Sequence, residues 1–166
     1  MEIVVSDTTA LINLARGDLL FLLDNLFSII YVPEAVFNEL MVKKDLVSLR
    51  IKRCKKLKIK KVKDQNILKE VQSNRLDRGE IEAIALALEL DVRLIIDEKK
   101  GRSIAKKYGL NIVGVLGLLV QNYKKSYISY EDVLYYVEVI EENGLRISKE
   151  LKSFFIEKLK EINSKS

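Results

Sequence analysis

Short β-branched runs alternate along this chain with longer stretches whose apolar residues recur at helical spacing. Residues 2–6 (EIVVS) read as a buried strand, and ALINLAR after them reads as a helix that stops near Gly17. Asp18 is placed to cap a second helix, LLFLLDNLF, and SIIYV reads as a strand ended by Pro33. Pro33 suits the first turn of the next helix, PEAVFNELM. A polar stretch follows, in which Leu57, Ile59 and Val62 suggest a strand, and then a short helix, NILKEVQ. The strongest helical signal is LDRGEIEAIALALEL, where Asp77 is a cap and Ile81, Ile84, Ala85 and Leu88 share one face. RLII is the next strand, KGRSIAKKYG a helix closed by Gly109, and NIV a last strand. VLGLLVQNYKK, EDVLYYVEVIEEN and SKELKSFFIEKLKEI are helices. The alternation predicts an α/β fold with a mainly parallel central sheet, followed by an all-helical last third. The tail helix carries an apolar stripe, Leu151, Phe154, Phe155 and Leu159, for its own sheet or for a partner.

Composition narrows the chemistry. At 166 residues one domain with a proper core is expected, and 48% hydrophobic with 32% charged residues fits a soluble globular protein. No apolar run reaches the roughly 18–20 residues that span a bilayer. The N-terminus lacks the basic and cleavage regions of a signal peptide, so a cytoplasmic location is expected. The chain has no histidine and one cysteine, Cys54. That excludes serine or cysteine catalysis built on an imidazole, histidine zinc sites, thiolate clusters and an intrachain disulfide. Carboxylates, lysine or arginine, hydroxyls and a hard metal are left.

The net charge of +5 is uneven. Residues 50–63 (RIKRCKKLKIKKVK) carry nine basic and no acidic side chains, and the rest has 20 basic against 24 acidic. The segment is either a phosphate-binding rim, with Lys55 and Lys58 among its contacts, or a lysine-rich edge strand guarded against edge pairing.

In a doubly wound sheet the site lies outside the carboxyl ends of the strands, so the residue after each strand matters most. Asp7 follows the first strand, and Asp97 and Glu98 follow RLII. Glu39 and Glu80 lie on helices bordering the same sheet. Each acid has an ordinary alternative. Asp7 and Asp97 can cap the helices that follow them, Asp77 and Glu80 have the spacing of a capping box, and Glu39 can be a solvated helix residue. If the four converge, their repulsion calls for a divalent cation, and oxygen-only ligands select Mg²⁺ or Mn²⁺. Lys99, Lys100 and Arg102 follow Asp97 and are placed either to meet a phosphate or to be solvated.

IVVSDTTALINLA, PEAVFNEL, LDRGEIEAIALA and LIIDEKKGRSIAKKYGLNIVGVLGLL occur in this order. Together they resemble the PIN-domain nucleases, close to the VapC toxins of toxin–antitoxin pairs. The resemblance covers roughly residues 1–125, leaving 126–166 as a helical extension packed on the same domain. It implies a three-layer α/β/α PIN-like fold and a Mg²⁺- or Mn²⁺-dependent endoribonuclease. Asp7, Glu39, Glu80 and Asp97 would then be catalytic and metal-binding, Thr9 the hydroxyl supporting Asp7, and Glu98 an auxiliary acid. RNA, a cognate antitoxin and a second copy of the chain are the implied partners. The third acid is Glu80 where many of these toxins have aspartate. The fourth motif reads IIDEKKGR, with no aromatic and with Glu98 next to Asp97. A non-catalytic RNA-binding module or a structure-specific DNA nuclease on a related fold are the competing functions.

Overall fold

Alternation along one central strand divides the molecule. Val4 and Val5 of β1 (Glu2–Ser6) are both fully buried, yet they belong to different cores. The structure is a computed structural model and describes residues 2–165. β1 is flanked by β2 (Phe27–Pro33) and β4 (Arg93–Ile95), with β3 (Leu57–Lys60) and β5 (Ile112–Val113) at the edges. All pairings are parallel, in the order β3-β2-β1-β4-β5.

One core is closed by α1 (Thr8–Arg16), α2 (Phe21–Asp24), α3 (Glu34–Val42), α4 (Leu46–Lys52), α8 (Val115–Lys124), α9 (Tyr130–Glu142) and α10 (Lys149–Lys165). The other is closed by α5 (Gln65–Gln72), α6 (Arg78–Leu90) and α7 (Lys99–Lys107). Helices therefore cover both faces of a parallel sheet, as the alternation predicts. The buried residues of α9 and α10, among them Val133, Val137, Phe155 and Leu159, share the first core with β1 and β2. Among the described residues, no helix is long and apolar enough to cross a membrane.

Several local expectations are corrected. The second helix is only four residues, because Phe27 already pairs in β2. Asp18 does not cap it; its backbone is left-handed (φ 57°) and its carboxylate lies 3.6 Å from Arg50. Pro33 is the residue before α3, not its first turn. α4 is an element that the apolar pattern does not mark. Asp45 caps it, accepting the Ser48 N–H at 2.9 Å, and the start of the basic segment lies on its last turn. The rest of that segment forms edge strand β3, with Leu57 partly buried, Ile59 49% exposed, and Val62 buried beyond the strand's end. Cys54 is a free thiol, half-buried 3.7 Å from Asp24 Oδ1, and burial pushes its pKa up.

Candidate active site

The strand order contains one switch point. From β1 the chain steps outward to β2 and β3, then returns to β4 on the other side of β1 and continues to β5. Outside the carboxyl ends of β1 and β4 the two halves diverge and leave a crevice. Asp7 follows β1 directly and donates its backbone N–H to Ile95 O of β4 at 3.0 Å. Asp97 lies two residues past β4.

Asp7 is 1% exposed. Its Oδ1 accepts the Ala10 N–H at 3.0 Å and so caps α1. Its Oδ2 is buried without a hydrogen-bond partner. The capping alternative is thus realised by one oxygen, and the other oxygen has no structural use. Burial raises the Asp7 pKa from 3.8 to about 7, the Ala10 N–H pulls it back, and Asp97, Asp77 and Glu98 push it further up. Asp97 does not cap the helix that follows it. Both its oxygens face the N–H of Val115, at 3.2 and 3.3 Å, so it closes the start of α8 instead. Burial raises its pKa, while Val115 and the Arg102 charge oppose that rise.

Glu80 sits in the first turn of α6 and is 6% exposed, with Oε1 buried and unpartnered. Asp77 Oδ1 accepts the Glu80 N–H at 2.8 Å, which is the forward half of a capping box. The Glu80 side chain lies beside Glu98. Burial first, and then Glu98 and Asp77, raise its pKa from 4.5 to about 8. Asp77, Glu80 and Glu98 bring one oxygen each within 4.8 Å of one another, a group able to hold a metal ion. Carboxylates this close repel one another, and a cation among them would relieve that repulsion.

Glycines allow this approach. A Cβ on Gly79 would lie 3.2 Å from Thr8 Oγ1, and one on Gly101 would lie 2.6 Å from Ile96 Cδ1. At Gly114 an added methyl would collide with Asp97 Oδ1 and lie 2.8 Å from an Arg102 nitrogen. The acids also share a setting. Asp7 caps α1, Asp77 caps α6, Glu98 precedes α7 and Asp97 takes the first N–H of α8. Four helix N-termini, each a partial positive charge, open on one crevice.

The structure brings together Asp7, Glu80, Asp97 and Glu98, and adds Asp77, which the sequence presented only as a cap. Glu39 is not among the acids whose charges act on Asp7 or Glu80. It is exposed on α3 and lines a groove with Lys61, Arg78 and Glu82. Thr9 is exposed, and Asp7 Oδ1 takes a backbone N–H in place of its hydroxyl. The neighbouring Thr8 has a buried Oγ1 without a partner. Arg102 donates to Ile96 O at 2.9 Å, Lys100 to Arg75 O at 3.0 Å, and Lys99 is exposed. Lys55 and Lys58 are exposed at the sheet edge.

A family model described as DUF3368: PIN domain matches residues 3–161. Among solved structures, the chain is similar to a PilT N-terminus domain protein from the hyperthermophilic archaeon Sulfolobus solfataricus P2. Identity is 19% over 73% of this chain and 93% of that one, with a TM-score of 0.49. No curated protein matches.

Proposed function

The chain belongs to the PIN-domain family, whose members are generally nucleases that use divalent metals, and from that premise we infer that it is a Mg²⁺- or Mn²⁺-dependent endoribonuclease. One observation carries the reading. Asp7 Oδ2 and Glu80 Oε1 are buried without partners at the switch point of the sheet. A buried carboxylate left unpaired is costly, so it is held for a proton or a cation.

Asp7, Asp97 and Glu80 would hold the ion, with Glu98 and Asp77 beside it and Glu39 at the border. All donors are oxygens, which suits Mg²⁺ or Mn²⁺. When bound, such an ion supplies an activated water and neutralises charge on a phosphoryl oxygen. The chain does the positioning. The Ala10 N–H fixes one oxygen of Asp7 so that the other points free, and the Val115 N–H fixes Asp97. A cation would compete with the protons that burial favours on Asp7 and Glu80, so affinity for it would rise with pH. Arg102, anchored on the Ile96 carbonyl beside Asp97, and Lys99 in the first turn of α7 would meet the scissile phosphate. Water as nucleophile leaves a 5′-phosphate and a 3′-hydroxyl.

Incubation with labelled single-stranded RNA and DNA under Mg²⁺ or Mn²⁺ tests this. Metal-dependent RNA cutting with 5′-phosphate products, lost in Asp7→Asn, is expected. Cutting by Asp7→Asn at the wild-type rate sinks the assignment. DNA cutting alone, or RNA binding without cutting, replaces it with a DNA nuclease or a binding module. The sequence resemblance further supports a toxin with a cognate antitoxin and a homodimeric state. A small DNA-binding protein encoded beside it and suppressing its activity is the expected sign.

A further inference from the structure

The tail helix splits its apolar stripe. Phe155 and Leu159 are buried in the first core, while Leu151 and Phe154 are 47% and 65% exposed. These two line a cleft of about 560 Å³ between α10, the α9–α10 connection and α8. Asp97 and Gly114 line the same cleft, so it opens on the proposed catalytic crevice. Its charged lining is one-sided. Arg102, Lys124, Arg146 and Lys158 face it, against Asp97 as the single acid. Among the described residues, no ion pair engages Lys124, Arg146 or Lys158.

An apolar wall alone would suit a protein partner. Unpaired cations beside an exposed aromatic ring, in a groove that leads to a phosphodiester-cutting centre, suit a nucleic-acid strand better. Cations track the phosphates, and the ring offers a face to a base. We propose that this cleft carries the nucleotides flanking the scissile bond of a single-stranded RNA, with a base stacked on Phe154 and phosphates on Lys124, Arg146 and Lys158. The proposal rests on the nuclease reading of the crevice. It moves the guiding surface from the basic edge strand to the helical tail.

The test uses the full chain carrying Asp7→Asn, so that bound RNA stays intact, and a 5′-fluorescent 15-nucleotide RNA followed by anisotropy across a salt series. Phe154→Ala should weaken binding roughly tenfold with an unchanged salt slope, because stacking releases no counterions. Lys124→Glu/Arg146→Glu/Lys158→Glu should weaken it further and flatten the slope by about 2, from a contribution of about 0.7 per phosphate contact. A control of equal charge change, Lys69→Glu/Lys106→Glu/Lys107→Glu, lies outside the cleft and should stay within threefold of the parent. With otherwise wild-type chains, Phe154→Ala should raise KM and leave kcat nearly unchanged.

If both cleft variants melt normally and bind RNA like the parent while the wild type still cuts RNA, the cleft proposal fails and the nuclease reading stands. If the cleft variants lose RNA but no metal elicits cutting, the nuclease reading fails, and with it the scissile-bond part of the proposal, leaving an RNA-binding groove. If Phe154→Ala abolishes self-association in sedimentation with RNA affinity intact, the cleft is a protein contact and the proposal is overturned.

Discussion

The centre and the edge of the sheet carry charge in opposite ways. At the centre, between β1 and β4, a few acids are buried and crowded, and burial pushes the pKa of Asp7 up to about 7 and that of Glu80 up to about 8. From the last turn of α4 through the β3 edge, nine basic residues lie in fourteen positions, mostly exposed, with Lys60 resting 5.0 Å over the Tyr31 ring. The edge dominates the net charge. The centre dominates the chemistry, because a desolvated charge must find a counter-charge or a proton, while a solvated lysine needs neither. The number of charges is therefore a poor guide to the site, and their burial is a better one.

The sharpest way to break this contrast is Asp7→Asn. Asparagine keeps the cap on α1 but removes the charge, so cleavage should fall on the order of a thousandfold or more. The same variant should melt higher than wild type in EDTA at pH 8, because no buried carboxylate has to ionise. Loss of activity together with a lower melting temperature would instead make Asp7 a purely structural cap. Next in size is Gly114→Ala, whose methyl collides with Asp97. A displacement near 1 Å should lower kcat about a hundredfold with the circular dichroism unchanged.

The pH dependence of stability comes third. The folded pKa of Asp7, about 7, lies above its ordinary 3.8, so the folded chain binds more protons than the unfolded one between these values. The stability this supplies is complete below pH 4 and is lost as pH rises through 7. Glu80 acts with the same sign up to about pH 8. In EDTA, stability should fall between pH 5 and pH 8 with a slope approaching about 1.4 kcal/mol per pH unit for each extra proton held. Mn²⁺ should restore it at pH 8, and Asp7→Asn should flatten the slope. A metal-free melting temperature that rises over this range would contradict the buried-acid centre. The smallest effect belongs to the edge. Lys55→Gln with Lys58→Gln should change stability by no more than about 0.5 kcal/mol and RNA affinity by less than threefold. A clear flattening of the salt dependence by this pair would return the guiding role to β3.

The layers and the central strands were legible because their signals are local. EIVVS, RLII and the α6 face are short patterns with one dominant period. LLFLL was not, since Leu19, Leu20, Leu22, Leu23, Leu26 and Phe27 are all buried and leave no polar side to mark a period. α4 hid in a charged stretch, although Asp45 and Ser48 have the spacing of a cap. At the site, Asp7 and Asp97 could be placed by topology, because residues at parallel strand ends share an edge. Asp77 could not, since its capping role accounts for it fully when read alone. The meeting of Glu80 with Glu98 depends on two helix starts closing together over Gly79 and Gly101, which no local pattern encodes. Thr8 and Thr9 are adjacent on one turn, and only the packing of α6 decides which hydroxyl is enclosed.

The strand order also bears on when the site comes into being. β1 is made first, but its partner at the switch point arrives some ninety residues later, after the chain has built β2 and β3 on the other side. Parallel pairing over that separation is a late and slow step of folding. A nascent chain that has not yet docked β4 holds Asp7 without Asp97, and Glu80 without Glu98. The proposed catalytic group is therefore assembled only when β4 docks beside β1, and a nascent chain that ends before β4 does not contain it.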